Sequence, residues 1–209
     1  IMESGFDGII IVISNPVDVV SHYILKKTKF PKNRVFGTGT TLDSSRLKRI
    51  LSTETGIDAK SIQAYTMGEH GDSQMVPWSH VSIGGKNICD YMKEKPDILG
   101  KLDLDHIEKR TAKAAYEIIE GKGCTEFGIG VGLTEIVKTI LHDEKKILPS
   151  TTLLDGEYEQ TNVFASVPVI IGRDGIEEIV EVELTNEERE KFNNSCKIIK
   201  SYIKRAEEL

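Results

Sequence analysis

The sequence predicts an α/β architecture that grades into α+β, and three features carry that prediction. Residues 9–13 form an unbroken run, Ile9-Ile10-Ile11-Val12-Ile13, that leads through Ser14-Asn15-Pro16-Val17-Asp18 into a helical segment. Such a run suits a strand buried on both faces of a parallel sheet. Apolar residues then recur at helical spacing over 104–120 and again from Ile129 to Ile140. Three strand-like runs follow, over 147–154, 163–171 and 176–184, the last two joined by Gly172-Arg173-Asp174-Gly175, a short hairpin signal.

Taken in order, Ile1 to Gly8 read as the tail of a helix entering the first strand, not as a native N-terminus, and the strand's neighbours are expected from sequence before residue 1. Pro16 suits a first helical turn, where its missing N–H costs nothing. The helix it opens runs to about Lys27, with Val17, Val20 and Ile24 on one face. Gly37-Thr38-Gly39 breaks the chain, and a second helix from about Leu42 buries Leu47, Ile50 and Leu51 before stopping at Gly56. Residues 62–67 read as a strand ending in the loop Gly68-Glu69-His70-Gly71-Asp72-Ser73. The helix over 104–120 places Ile107, Ala114 and Ile118 on one stripe; the next holds Ile129, Leu133, Ile136, Val137 and Ile140. Thr185 and Glu188 match a capping box opening a terminal helix lined by Phe192, Cys196, Ile199 and Ile203. No internal repeat is present.

Composition narrows the function classes. Of 209 residues, 39% are hydrophobic and 29% charged, the balance of a globular chain, not a disordered one. A net charge of −6 with interspersed signs argues against a nucleic-acid surface, which needs clustered Lys and Arg. The densest mixed run, 177–209, reads as a solvated helix face. No apolar run approaches the roughly 18 residues of a membrane span. Cys89, Cys124 and Cys196 lack metal spacing and read as free thiols in a reducing compartment. With no signal peptide visible, that places the chain in the cytoplasm.

Three segments concentrate reactive groups. Asn15 follows a buried strand, at the end where open α/β sheets bind ligands; taken alone it reads first as a turn or helix-entry asparagine. Asp43 and Arg46, three apart on a helix, share a face. They are either a surface pair contributing about 0.3 kcal/mol or a carboxylate and a guanidinium fork aimed into a cleft, where a carboxylate substrate would be gripped bidentately. His70 sits between glycines that allow close approach, and its imidazole is the side chain most easily poised to exchange a proton near neutral pH. A metal site built on Glu69, His70 and Asp72 is rejected, because adjacent loop residues rarely converge on one ion and no second histidine stands at ligand spacing.

A strand-end Asn, an Asp–x–x–Arg helix and a Gly–Glu–His–Gly–Asp–Ser loop, in this order, resemble the L-lactate and malate dehydrogenase family across essentially the whole chain. The resemblance implies a remnant of a Rossmann sheet over 1–37, followed by the family's catalytic domain over 38–209. It implies NAD as cofactor, pyruvate and L-lactate as substrates in the fermentative end of glycolysis, and a homo-oligomer, dimer or tetramer. By the same resemblance His70 is the proton donor and acceptor, Asp43 orients its ring, and Arg46 binds the substrate carboxylate. Asn15 and Thr125 contribute to the substrate pocket. Ile13, Ser14, Asn15, Thr38 and Ile129 line the nicotinamide end of the cofactor site. Residues 123–129 look closer to lactate than to malate members.

Departures matter as well. The family's G-x-G-x-x-G phosphate loop, its ribose-binding acid and the substrate-closing loop with a second arginine have no counterpart in these residues. The 209 residues alone are therefore expected to hold an incomplete site. Many bacterial members bind fructose 1,6-bisphosphate through an arginine and a histidine; Lys48 and Gln63 stand at the matching positions, and Gln63 supplies no cation.

Overall fold

One mixed sheet organises the molecule, its strands in the order β1 (Ile10–Val12), β2 (Val35–Gly37), β6 (Lys146–Asp155), β7 (Thr161–Gly172) and β8 (Gly175–Ile179). β1 and β2 are parallel, Ile11 facing Phe36, and every later pairing is antiparallel. The change of sense falls at β2, where Gly37 pairs with Thr151 of β6. A second, three-stranded sheet holds β3 (Ile62–Gln63), β4 (Ser82–Ile83) and β5 (Lys86–Asn87). The computed structural model describes residues 2–97 and 99–208; Ile1 and Leu209, which end the N-terminal stretch and the C-terminal charged run, and Ile98 lie outside it. Among the described residues no helix is long and apolar enough to cross a membrane.

The sheet's strands explain their own sequences. β7 runs beneath α1 (Val17–Thr28), α5 (Phe127–His142) and α6 (Asn186–Glu207), so both of its faces are covered and Val163 to Val169 are all buried. That is why its sequence is apolar without alternation. Phe192, Cys196, Ile199 and Ile203 of α6 join this core as their spacing predicts. A second core forms where Leu47, Ile50 and Leu51 of α2 (Thr41–Thr55) meet Ile62, Val81, Ile88 and Ile107. The remaining helices are α3 (Ile88–Glu94) and α4 (Leu104–Lys122).

Several expectations change. β1 is the end strand of its sheet, with β2 as its one ladder partner among the described residues, so only Val12 is buried and Ile13 is 47% exposed. β2 is three residues long, too short for periodicity to announce. Residues 180–184 leave the predicted third strand because Tyr158 captures them: its hydroxyl donates to Val180 O (3.2 Å) and accepts from Val182 N (3.0 Å). Of 62–67, only Ile62 and Gln63 belong to a ladder. The buried face of α1 carries Val17, Asp18, Val19, Ser21 and His22, while Val20 and Ile24 are half-buried. Ile118 and Val137 are exposed, since α4 meets the core through Ile107 and Thr111 in its first half and α5 through Gly132, Ile136 and Thr139.

The cap of α6 holds more than its own helix. Glu188 accepts from Thr185 N (2.9 Å), Thr185 Oγ1 accepts from Glu188 N (3.3 Å), and the same carboxylate accepts from Ser79 N (2.9 Å) and Ser79 Oγ (2.7 Å). Burial works against the Glu188 carboxylate, but the Ser79 and Thr185 bonds outweigh it and hold its pKa below the ordinary value. The stability it contributes is therefore present above the unfolded-state value and is lost as pH falls through the depressed one. Glu188→Ala is expected to cost about 2 kcal/mol in urea unfolding at pH 7, with the loss shrinking at acid pH.

Candidate active site

The His70 loop is pinned on every side. Gly68 N donates to Ser166 O (2.9 Å) and Ser166 N to Gly68 O (2.8 Å), tying the loop to β7. Met67 and Met75 pair through both backbone groups and close its base. Gly68 has φ +91°, and a Cβ there would stand 2.4 Å from Ser195 Oγ on α6, so backbone conformation and space both require glycine. Glu69 N donates to Ser195 Oγ (2.7 Å), and the Ser73 hydroxyl bonds the Glu69 carboxylate. His70 N donates to Asp18 Oδ2 (2.9 Å) in the first turn of α1.

Helix α2 delivers the opposing groups. Thr40 Oγ1 donates to Thr66 O (2.6 Å) and Thr66 N to Ser44 Oγ (2.9 Å), which set the loop's approach against the helix start. Asp43, 2% exposed, then spans two partners. Its Oδ1 accepts from Arg46 Nη1 (3.0 Å) and its Oδ2 lies 2.7 Å from His70 Nδ1. An ionised Asp43 requires the hydrogen on Nδ1, which leaves Nε2 as the site of proton exchange; Nε2 has no partner among the described residues. Arg46 makes its one hydrogen bond among those residues to Asp43, so most of its fork stays available.

The charges around His70 act in opposite directions. Burial is the largest influence and favours the neutral ring. The Asp43 hydrogen bond, the Asp43 charge and the Asp18 charge together exceed it, with Arg46 opposing, and the imidazole pKa ends above its ordinary value. The arrangement offers an imidazole whose charged form is favoured, beside a guanidinium with the chemistry to hold an anion.

The other sequence-predicted residues fall around this centre. Ile13, Ser14 and Asn15 are exposed just past β1, and the Asn15–Pro16 bond is cis. Thr38 is buried instead, its N–H donated to Val12 O (3.0 Å), joining the ends of β2 and β1. Thr125 and Ile129 are half-buried at the start of α5, where Gly128 packs against Leu42, the neighbour of Asp43. Among the described residues no hydrogen bond joins Asn15 or Thr125 to His70. Lys48 and Gln63 line one cavity of about 590 Å³ with Lys60, Lys145 and Lys146. Glu69 and Asp72 turn to Ser73 and Tyr116, and no group of three His, Cys, Asp or Glu among the described residues is placed to hold a metal ion. Sequence reasoning passed over Asp18 as a partner of His70; an acidic residue set among Val17, Val19 and Val20 was the available signal.

The chain is similar to known proteins over nearly its whole length. Residues 40–209 match the family model for the lactate/malate dehydrogenase alpha/beta C-terminal domain, and residues 1–37 the model for the NAD binding domain. L-lactate dehydrogenase 3 of Bacillus cereus is 50% identical over 204 residues, covering 98% of this chain and 65% of the relative. The minor L-lactate dehydrogenase of Enterococcus mundtii, solved with ligands bound, superposes with a TM-score of 0.93 at 40% identity, covering 98% of this chain and 65% of that one. The malate dehydrogenase of Aeropyrum pernix gives 0.85 at 32%, covering 94% and 64%. The chain thus spans about 65% of the length of the curated relative it matches.

Proposed function

This chain belongs to the lactate/malate dehydrogenase family, and on that footing we propose that the protein interconverts L-lactate and pyruvate with NAD as the redox partner. The observation that carries the reading is Asp43 bridging Arg46 and His70 while His70 Nε2 and the rest of the Arg46 fork stay unengaged. Pyruvate presents two needs at adjacent carbons: a fixed cation for its carboxylate and a proton donor for its carbonyl oxygen. Arg46 answers the first as a planar fork. His70 Nε2 answers the second, giving the proton on reduction and receiving it on oxidation. Asp43 holds the ring's other nitrogen and favours its charged form.

The donor set at the strand end fits the nicotinamide end of NAD. Exposed Ile13 gives an apolar contact, and Asn15 offers a donor and an acceptor together. Ser14, Thr38 and Ile129 complete that wall, and Thr125 with Asn15 borders the substrate. Bound NAD supplies or removes the hydride at the substrate carbon. In this reading residues 1–37 belong to the cofactor-binding half and 38–209 to the substrate half. A homo-oligomer, dimer or tetramer, and a cytoplasmic, fermentative role complete the proposal; three unpaired thiols favour a reducing compartment.

Steady-state kinetics on the protein expressed from its whole gene test it. Pyruvate-dependent NADH oxidation is expected, with kcat/KM for pyruvate above that for oxaloacetate. Arg46→Lys keeps a charge but loses the fork, and the KM for pyruvate is expected to rise about 30-fold, the worth of one charge-assisted bond. Unchanged pyruvate kinetics in that variant would remove Arg46 from the carboxylate site.

A further inference from the structure

Beneath the proposed proton donor lies a second carboxylate. Asp18 is 4% exposed in the first turn of α1, between the His70 loop, β6 and α6. One oxygen accepts the His70 backbone N–H at 2.9 Å. The other, Oδ1, is buried without a hydrogen-bond partner. The Thr151 hydroxyl of β6 lies near enough to the carboxyl to lower its pKa, yet its Oγ1, like Asp18 Oδ1, is buried without a hydrogen-bond partner. No lysine or arginine makes an ion pair with Asp18 among the described residues.

We propose that Asp18 is a positioning residue for His70, its backbone bond fixing the loop and its buried negative charge strengthening the hold of the imidazole on its proton. The proposal rests on the reading of His70 as the acid/base. Holding the loop needs only an acceptor, which an amide would supply. What an amide cannot supply is charge, and a charge kept half-satisfied inside a protein is costly. Burial raises the Asp18 pKa to about 6, against the lowering effect of Thr151 and of the His70 amide and ring. Above that value Asp18 is an anion, and the protonated His70 ring is the cation whose charge acts on it. The groups facing the pair are Asp43 and Arg46 from α2, Glu69 from the loop and Cys196 from α6. Asp43 acts with Asp18 on the ring and Arg46 against it; the Glu69 charge raises the Asp18 pKa.

The sign of the coupling follows. An ionised Asp18 favours imidazolium, so removing its charge lowers the pH at which His70 gives up its proton. Pyruvate reduction, which needs the proton present, then fails at a lower pH. Lactate oxidation, which needs it absent, persists to a lower pH.

Asp18→Asn in the full-length protein tests this, because it keeps the acceptor for His70 N–H and removes the charge. Nuclear magnetic resonance titration of the His70 ring, assigned by loss of its signal in His70→Gln, is expected to show a midpoint lowered by about half a pH unit. The alkaline limb of kcat/KM for pyruvate should move by the same amount, with the low-pH plateau retained and the thermal midpoint at pH 8 not reduced. A folded Asp18→Asn protein with an unmoved His70 midpoint overturns the proposal and leaves Asp18 a loop anchor. Should that variant not fold, the reciprocal measurement decides: the carbon-13 carboxyl resonance of Asp18 must titrate at higher pH in His70→Gln than in the native protein, since linkage is mutual. An unchanged Asp18 midpoint there overturns it equally. Turnover surviving in His70→Gln would instead remove the acid/base reading while leaving the titration coupling intact.

Discussion

His70→Gln is expected to lower kcat for pyruvate reduction by about 10³-fold or more while leaving the fold in place, in line with the range for a positioned general acid. Glutamine approximates the reach of the imidazole and its amide can donate a hydrogen bond to a carbonyl oxygen. It cannot transfer a proton, so binding should survive better than turnover. The backbone half of the site is untouched by the change: His70 N still donates to Asp18, and the loop remains fixed to Ser166 and Ser195. The native pH profile is the companion measurement. Burial pulls the imidazole pKa down, but Asp43 and Asp18 carry it above the ordinary value. Reduction should therefore hold through about pH 6.5 and decline only as pH passes the raised folded value; oxidation should fall as pH drops through it. Stability obeys the same sign: the contribution of charged His70 is full below the unfolded pKa and is lost as pH rises through the folded one. In His70→Gln both limbs assigned to this group must vanish. Rates within tenfold of native would show that the proton comes from elsewhere.

What the sequence made legible was local. Thr185 and Glu188 announce a helix start because a capping box is complete within four residues. Gly172-Arg173-Asp174-Gly175 announces a hairpin, and the α6 stripe its buried face, for the same reason. Non-local partners were hidden. The burial of β1 depends on how many strands flank it, and the fate of 180–184 depends on a tyrosine more than twenty residues upstream. The site divides the same way. Asp43 and Arg46 sit on one face by helical geometry alone, but the bond from Asp43 to His70 joins residues 27 apart in sequence and exists only once α2 and the loop are packed. Asp18 was overlooked because apolar neighbours drew the predicted buried face of α1 toward Val20 and Ile24. The helix in fact buries small and polar side chains there, including Ser21 and His22 beside Asp18.

The second large effect belongs to Asp43, which serves two partners at once. Asp43→Asn nearly preserves volume, yet each of its consequences is unfavourable. Arg46 loses the carboxylate that orients it, and a cationic side chain only 13% exposed is left without a counter-charge. Breaking a buried pair from one side is costly, about 3 kcal/mol at the low end. For His70 the loss is twofold, because the bond and the charge of Asp43 are two of the influences that offset burial. With both gone, only Asp18 opposes burial, so the ring is expected to be neutral at pH 7.5. The asparagine can also present its NH2 to Nδ1 and so favour the other tautomer. Pyruvate reduction at pH 7.5 should fall by about 10²-fold or more. The diagnostic feature is partial recovery on acidification, as the imidazolium is restored by bulk protons, with KM for pyruvate staying elevated because Arg46 remains misaligned. Asp43→Asn kinetics that match native values at pH 7.5 would show that Asp43 neither charges the ring nor aims the guanidinium. A rate loss that ignores pH would reduce its role to holding α2 against the loop.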